Sequence, residues 1–214
     1  MKMRTSLAIV CALALVGAGC STQNRAVNGG NTAVAQQSPQ AAWQERQRLF
    51  ASMQAWRLSG RVGLQLRDDS WSFGLNWLEK GSGRYDMNIT NPLTGAIMAM
   101  VQSSGSQVTL RTADGKTYQD TDAERLLAKQ LRLNFPLKNL RYWARGIPAP
   151  NLAVDDVQLD AQGRPVRLQQ AGWVINYPRY KGDGLSALPA RIDLEQATEQ
   201  VRARVVAKEW QTKL

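Results

Sequence analysis

The chain has no histidine among its 214 residues. This absence excludes His-based catalytic triads and His-ligated metal sites, and it removes the commonest general base. No GxxxxGK[ST] loop occurs, so nothing in the sequence indicates work driven by nucleotide hydrolysis. The only cysteines are Cys11 and Cys20, which are too few for a thiolate zinc site. The sequence therefore predicts neither a metal site nor catalytic residues.

Two pairs of adjacent carboxylates, Asp68-Asp69 and Asp155-Asp156, are the remaining candidates for acid–base chemistry. Neighbouring residues on a strand point to opposite faces, and both pairs stand near predicted turns. We interpret them as solvated turn residues, so the sequence predicts that the protein is not an enzyme.

Long apolar runs are also missing after residue 20, where nothing approaches the roughly 20 residues of a membrane-spanning helix. The one apolar run, Leu7 to Val16, follows a short basic start that contains Lys2 and Arg4. It ends in small residues directly before Cys20. This layout is typical of a secretory signal that is removed on export, and we assign the signal to residues 1–19.

Cys20 is the predicted site of a lipid anchor. A cysteine directly after small residues indicates a bacterial lipoprotein cleavage box, and Cys11 would be lost with the signal, leaving Cys20 without a disulfide partner. We therefore expect an N-acyl and an S-diacylglycerol lipid on Cys20 and no other cofactor. Gly17 stands where lipoprotein signals usually have leucine, which keeps ordinary signal cleavage open as an alternative.

Acidic residues are fewer than basic ones. The chain has 27 Lys and Arg, 19 of them Arg, against 17 Asp and Glu, so its formal charge is +10. Loss of Lys2 and Arg4 with the signal lowers that charge to +8. An exported protein is not expected to bind nucleic acid, so anionic lipid surfaces or an acidic protein remain as partners. Arginines scattered over solvated strand faces are the alternative.

Composition divides the rest of the chain into a tether and one domain. Residues 20–39 are rich in Gln, Asn, Thr, Ser, Gly and Ala, which is typical of a flexible linker. About 18 residues of this kind have an end-to-end distance of about 23 Å. Residues 40–214 are predicted to form a single domain that the tether holds near the bilayer.

The secondary structure of that domain follows from helical and alternating patterns. Trp43, Leu49, Phe50 and Met53 are spaced to share one face of a helix over residues 40–53. A second helix begins with the capping box Thr121-Asp122-Ala123-Glu124, and a short third helix covers residues 137–144. Strands are predicted at 56–66 with an irregularity near Gly60, and at 71–77, 85–89, 96–102, 107–112, 116–119, 154–159, 165–170, 172–178, 190–195 and 201–210. Strands on both sides of a helical insert favour an antiparallel sheet curled over helices.

The strand from Trp71 to Trp77 carries Trp71, Phe73, Leu75 and Trp77 on one face. Large apolar side chains that alternate along a strand usually form a solid core. A curled sheet closed by helices can also enclose an apolar cavity. The pattern does not distinguish the two.

The turn Asn91-Pro92-Leu93-Thr94-Gly95 places a leucine between two predicted strands. Loop tips are normally polar and exposed. Leu93 is therefore either folded back onto the core or directed outward, where it would contact lipid.

An ordered set of motifs resembles the LolB family of outer-membrane lipoproteins. The motifs are Trp56-Arg57-Leu58-Ser59-Gly60-Arg61, Leu75-Asn76-Trp77, Thr90-Asn91-Pro92-Leu93, Asp122-Ala123-Glu124, Pro136-Leu137-x-x-Leu140-Arg141-x-Trp143 with Gly146 and Pro148, Gly172-Trp173-x-x-x-Tyr177, Leu188-Pro189-Ala190 and Trp210. Two positions depart from the family pattern: Gly17 in the cleavage box, and Thr94 where the family often continues Pro-Leu-Gly.

The resemblance implies a fold, a set of site residues and partners. The fold would be mainly β with helices, an unclosed antiparallel β-barrel covered by a helical lid around a hydrophobic acyl-binding cavity. Trp77, Trp143 and Trp173 match family tryptophans involved in lipoprotein reception. Leu93, which follows Pro92, matches a protruding leucine needed for membrane insertion.

The implied function is the reception of lipoproteins from a periplasmic LolA-like carrier and their insertion into the outer membrane. The protein would work as a monomer, anchored in the outer membrane and facing the periplasm. Ser21 follows Cys20 in place of the aspartate associated with inner-membrane retention. A soluble carrier of the same fold is one alternative, and an outer-membrane lipoprotein that binds sugars on its tryptophans, or has a structural role, is another.

Overall fold

The computed structural model describes residues 37–67, 69–132 and 135–213. The predicted signal over 1–19, Cys20 and all but the last three residues of the predicted tether lie outside these ranges. Within the described chain, no helix combines the length and the hydropathy needed to cross a bilayer.

Eleven strands in these residues form one antiparallel sheet with the order β6-β5-β4-β3-β2-β1-β11-β10-β9-β8-β7. The strands are β1 (Trp56–Leu66), β2 (Asp69–Glu79), β3 (Arg84–Thr90), β4 (Ile97–Ser104), β5 (Val108–Thr112), β6 (Thr117–Asp120), β7 (Val154–Leu159), β8 (Pro165–Gln170), β9 (Trp173–Lys181), β10 (Leu188–Gln196) and β11 (Val201–Gln211). Because β6 and β7 are the two edges of the sheet, the barrel is unclosed. The predicted fold is confirmed.

Period-two patterns account for the strands. In β2, Phe73, Leu75 and Trp77 are buried while Ser72 and Asn76 are exposed. We call the sheet face that carries these buried residues the inner face, and the opposite one the outer face. The apolar interior lies between the inner face and the helices.

The irregularity expected near Gly60 is confirmed, because the pairing of β1 with β11 shifts register between Ser59 and Gly60. A side chain is excluded at this position, since a Cβ built on Gly60 would lie 2.3 Å from the carbonyl oxygen of Val206. The two backbones therefore approach more closely here than any other residue would allow.

Three helices are described: α1 (Pro39–Ala51), α2 (Ala123–Leu131) and α3 (Leu137–Trp143). α1 begins after Ser38, whose hydroxyl accepts a hydrogen bond from the Ala41 amide at 3.3 Å. The prediction that Leu49 shares the buried face of this helix is wrong, because Leu49 is 41% exposed. Arg46 occupies that face between Trp43 and Phe50, and it is fully buried.

The start of α2 differs from the predicted capping box. Asp122, not Thr121, caps the helix, and its carboxylate accepts hydrogen bonds from the amides of Glu124 and Arg125 at 2.9 and 3.3 Å. The Glu124 carboxylate binds the Lys138 amide at 2.8 Å instead of returning to its own helix. Both acidic residues therefore help to join α2 to α3.

Asp155 and Asp156 are solvated as expected, but they lie within β7 and not at a turn. A register irregularity between Val154 and Asp156 leaves both carboxylates exposed on an edge strand.

Candidate functional site

The three tryptophans singled out in the sequence are all buried in the interior between sheet and helices. They form two aromatic groups. Trp143 on α3 lies 6.1 Å, centroid to centroid, from Trp173 at the start of β9. Trp77 on β2 packs instead against Trp56 at 5.1 Å and Tyr85 at 6.2 Å.

Trp143 is held at the end of α3 by hydrogen bonds. Its indole N–H donates to the Gln170 side-chain oxygen at 2.8 Å, and its backbone carbonyl accepts from the Tyr177 hydroxyl at 3.1 Å. Gln170 is itself fully buried, and its amide group bonds to Ala149 and Leu152. A satisfied buried network of this kind fixes its members in one arrangement, so the C-terminal end of α3 is firmly attached to the sheet.

Two buried arginines strengthen the same attachment. Arg46 donates hydrogen bonds to the carbonyls of Arg145, Gly146, Leu185 and Ala187 at 2.6 to 3.1 Å. Arg145 donates to the carbonyls of Phe50 and Met53. Burial lowers the pKa of each guanidinium to about 10, so both stay charged at neutral pH.

The polar groups around Trp77 have fewer hydrogen-bond partners than those around Trp143. Its indole N–H has no hydrogen-bond partner among the described residues, and neither has one carboxylate oxygen of the nearby Glu79. The other Glu79 oxygen forms an ion pair with Arg141 of α3. Burial raises the pKa of Glu79 above its ordinary value, although the Arg141 charge acts against that shift. The side of α3 that faces β2 is thus attached to that strand by the Arg141–Glu79 ion pair.

A small cavity opens beside Trp77. It has a volume of about 150 Å³ and is bounded by Trp77, Tyr85 and Val108 of the sheet and by Leu137 and Arg141 of α3. Ligand sites for drug-sized molecules usually have roughly 300–1,000 Å³. The interior described here is therefore mostly filled by its own side chains, as in a core, and the cavity beside Trp77 is a narrow gap between sheet and helices.

The β3–β4 loop presents Leu93 to solvent, with 91% of the residue exposed. Asn91 organises the loop, because its side-chain oxygen accepts hydrogen bonds from the amides of Leu93 and Thr94 at 2.9 and 3.1 Å. The Asn91 amide and carbonyl bond to Ala96 and Gly95, whose φ of +75° suits glycine. Of the two orientations that the sequence left open, the structure has the outward one.

Other side chains near this loop extend its apolar surface. Ile97 and Met98, at the start of β4, are 49% and 40% exposed. On the outer face, the Arg61 guanidinium donates a hydrogen bond to the Pro92 carbonyl at 3.1 Å. The tip therefore combines exposed apolar groups with an adjacent cation.

Sequence reasoning missed several of these residues. Arg46 has a recognisable signal, because it stands three residues after Trp43 and four before Phe50 on the apolar side of α1. Glu79 also has a signal, because it stands two residues after Trp77 and therefore on the same inner face of β2. Gln170 has no comparable signal, because its partners come from distant parts of the chain.

Comparisons with known sequences agree on one family. The family model described as "Outer membrane lipoprotein LolB" matches residues 54–210. A LolB from Nitrosococcus oceani is 37% identical over 173 residues, which cover 81% of this chain and 84% of that protein. A LolB from Pseudomonas aeruginosa is 32% identical over 211 residues, covering 99% and 97%.

Solved structures share the fold at low sequence identity. A LolA superfamily protein from Nitrosomonas europaea has a TM-score of 0.52 and 11% identity, and the match covers 83% of this chain and 94% of that one. A putative outer-membrane lipoprotein-sorting protein domain from Vibrio parahaemolyticus has a TM-score of 0.54 and 8% identity, covering 80% and 91%. These likenesses concern the architecture alone.

Proposed function

The chain belongs to the LolB family of outer-membrane lipoproteins, and from this premise we propose that it receives lipoproteins from a periplasmic LolA-like carrier and inserts them into the outer membrane. The signal over residues 1–19 would be removed and Cys20 acylated, so that the tether to residue 39 holds the domain near the membrane. No catalytic step is needed for this work. The chain acts as a receiver that binds acyl chains and releases them to lipid.

Acyl chains need an apolar container at each stage of transfer. Each buried methylene contributes about 0.8 kcal/mol, so three chains of about 14 methylenes represent roughly 30 kcal/mol. This free energy keeps bare chains from crossing water. Transfer without nucleotide hydrolysis then runs from the carrier to a tighter receiver and on to the bilayer.

The container is the interior between the sheet and the helices, and it must open. Lys138 joins α2 and α3, because its amide binds Glu124 and its ammonium binds Asp122 at 2.7 Å. The two helices therefore move together as a lid. In the last turn of α3, Trp143 is held on one side of the helix by Gln170 of β8, while Arg141, two residues earlier, is held on the opposite side by Glu79 of β2.

This difference in attachment gives the three tryptophans different roles. Trp143 and Trp173 pack on the side of α3 that Gln170 holds and form the permanent wall of the cavity. Trp77 lies beside the existing gap of about 150 Å³, where separation of α3 from β2 would enlarge it. We propose that the incoming acyl chain first contacts Trp77.

The observation that carries the insertion step is the 91% exposure of Leu93 on a loop that is organised by Asn91. An apolar side chain fixed in this position has no partner in the described fold. Burial of a leucine in a bilayer stabilises the contact by about 1.5–3 kcal/mol. Together with the lipid on Cys20, this contact would hold the domain against the membrane that accepts the cargo.

The experiment that tests this function replaces Leu93 by Glu in the full-length lipoprotein. The free energy of unfolding should change by no more than about 0.5 kcal/mol, because the Leu93 side chain is on the surface. The variant should accept lipoprotein from a loaded carrier but retain it, because a carboxylate resists burial and is repelled by anionic headgroups. The measurements are thermal unfolding and the partition of cargo between the protein and vesicles.

Leu152→Glu is the matched control, since Leu152 is also an exposed leucine outside the helices and strands. That variant should deliver cargo normally. Normal delivery by a stable Leu93→Glu variant would contradict the insertion role, and failure of the wild-type chain to accept cargo would contradict the whole proposal.

A further inference from the structure

We propose that the outer face of the sheet beside the Leu93 loop binds the phosphate groups of anionic phospholipids through a transverse row of arginines, Arg61, Arg191 and Arg179. The inference rests on the proposed entry of the loop into the bilayer and adds a headgroup site to it. We call these three residues the arginine row.

Strand register puts the row together. Arg61 of β1 is paired with Val206 of β11, and Val206 is paired with Arg191 of β10. Arg191 is paired in turn with Arg179 of β9, next to a β-bulge. Residues that are directly opposite across antiparallel strands present their side chains on the same face, so the three guanidinium groups share the outer face.

The same register continues from Arg61 to the loop. Arg61 is paired with Gly74 of β2, Gly74 with Thr90 at the end of β3, and Thr90 with Ile97. Neighbouring strands are about 4.8 Å apart, so Arg61 lies about 10 Å from the strand that leads into the loop. Arg61 also contacts the loop directly through the Pro92 carbonyl.

The row keeps most of its positive charge. Among the described residues, Arg61 and Arg179 take part in no ion pair, while Arg191 pairs with Asp193 at 2.8 Å. Asp193 also pairs with Arg204, which lies in the next row of the outer face. One carboxylate thus faces four arginines, which leaves a local charge of about +3 at neutral pH.

An open groove lies at the Arg61 end of the row, next to the Leu93 loop. It has a volume of about 620 Å³ and is lined by Arg61, Gly60, Gly74, Lys208 and Glu209, with residues of the Leu93 loop on its rim. The groove has space for a phosphate group beside the Arg61 guanidinium. Guanidinium groups bind phosphate oxygens with two parallel hydrogen bonds.

A lipid surface fits this arrangement better than an acidic protein. Leu93, Ile97 and Met98 are exposed at the end of the same surface, and a membrane offers apolar depth next to a layer of phosphates. Contact through the arginine row also sets the orientation of the domain. The outer face would rest on the headgroups, and the lid, which covers the inner face, would remain open to the periplasm.

The experiment uses the full-length, lipid-anchored chain in vesicles, with Ile97→Cys labelled by an environment-sensitive fluorophore. The Arg179→Gln/Arg191→Gln pair removes two charges and leaves the contact of Arg61 with the loop unchanged. Each arginine lost near an anionic surface should weaken insertion about fivefold, so the pair should weaken it about 25-fold. The loss should occur in vesicles that contain phosphatidylglycerol and be absent in pure phosphatidylcholine.

The control pair Arg84→Gln/Lys129→Gln removes the same charge from exposed positions outside the row. This control pair should reduce insertion far less than the Arg179→Gln/Arg191→Gln pair does. Arg61→Gln is a second, independent variant of the row, and it should also reduce insertion. An equal loss for the control pair would overturn the site, as would an equal loss in neutral vesicles. Unchanged insertion with slower uptake from the carrier would overturn it in favour of an acidic protein partner.

Failure of the proposed function gives a different result in the same assay. If Leu93→Glu inserts the fluorophore as well as the wild-type chain does in neutral vesicles, the loop is not the insertion device. A dependence on anionic lipid that requires the arginine row would still be measurable as a separate effect.

Discussion

Arg46 shows how a single buried charge can be satisfied without a carboxylate. Its guanidinium group lies 4.5 Å from the Phe50 ring centroid and 5.3 Å from that of Tyr180, and it binds four backbone carbonyls. Those carbonyls belong to the turn after α3 and to the segment before β10. One side chain of α1 therefore connects three separate parts of the chain.

We expect Arg46→Lys to lower the free energy of unfolding by about 3 kcal/mol. The ammonium group has three donors on a flexible stem and does not reproduce the planar fork, so buried carbonyls lose their partners. Chemical denaturation measures the change. Arg48→Lys on the exposed side of the same helix is the control and should stay within about 0.5 kcal/mol. Similar values for the two variants would show that the carbonyl contacts contribute little.

Among the elements, the attachment of α3 to β2 depends on one buried ion pair. Glu79 and Arg141 come from a strand and from the lid, so their separation accompanies any opening. Burial raises the pKa of Glu79. A carboxyl group with a raised pKa in the folded state stabilises the fold below its unfolded pKa, and that stability is lost as the pH rises through the folded value.

Glu79→Gln should remove this pH dependence. As the pH rises above 4.5, the ordinary pKa of a glutamate, the wild-type chain should lose free energy of unfolding relative to the variant. The difference should become constant once Glu79 is ionised in the folded state. Denaturation curves over a pH series measure it. A difference that changes in the opposite direction would mean that the Arg141 charge outweighs burial and lowers the pKa.

At the scale of the whole molecule, side chains fill most of the interior between the sheet and the helices, and the sheet and the helices differ in how firmly they are held. Long central strands such as β1, β2 and β11 pair along most of their length. The lid contributes short helices that contact the sheet mainly through side chains. Opening of the lid should therefore need less free energy than disruption of the sheet.

Native-state hydrogen exchange of the full-length protein should show that the lid opens at a lower free energy than the sheet. Amides of α2 and of the first turns of α3 should exchange faster than those of β1, β2 and β11, because lid opening precedes global unfolding. Addition of an acyl ligand should slow exchange in β2 near Trp77, where we place first contact. Equal protection of the amides of the lid and of the sheet would contradict an opening of the lid without unfolding of the sheet. The cavity would then have to form in another way.

Local patterns in the sequence determined the elements of this fold. Alternation along 71–77 indicated the inner face of β2, Gly60 marked the register shift between β1 and β11, and strands on both sides of a helical insert indicated one antiparallel sheet. These features depend on side-chain direction and backbone freedom, which neighbouring residues define. The ordered motifs also led to the family, and with it to Trp77, Trp143, Trp173 and Leu93 as candidate site residues.

Tertiary structure alone decided where those side chains lie and what they contact. The sequence left Leu93 between two orientations, and the hydrogen bonds from Asn91 direct it outward. It gave Arg46 no role, because the carbonyls that bind it are about 100 or more residues away along the chain. The arginine row depends on register across four strands. Contacts of this kind join residues that are distant in sequence, so no local pattern contains them.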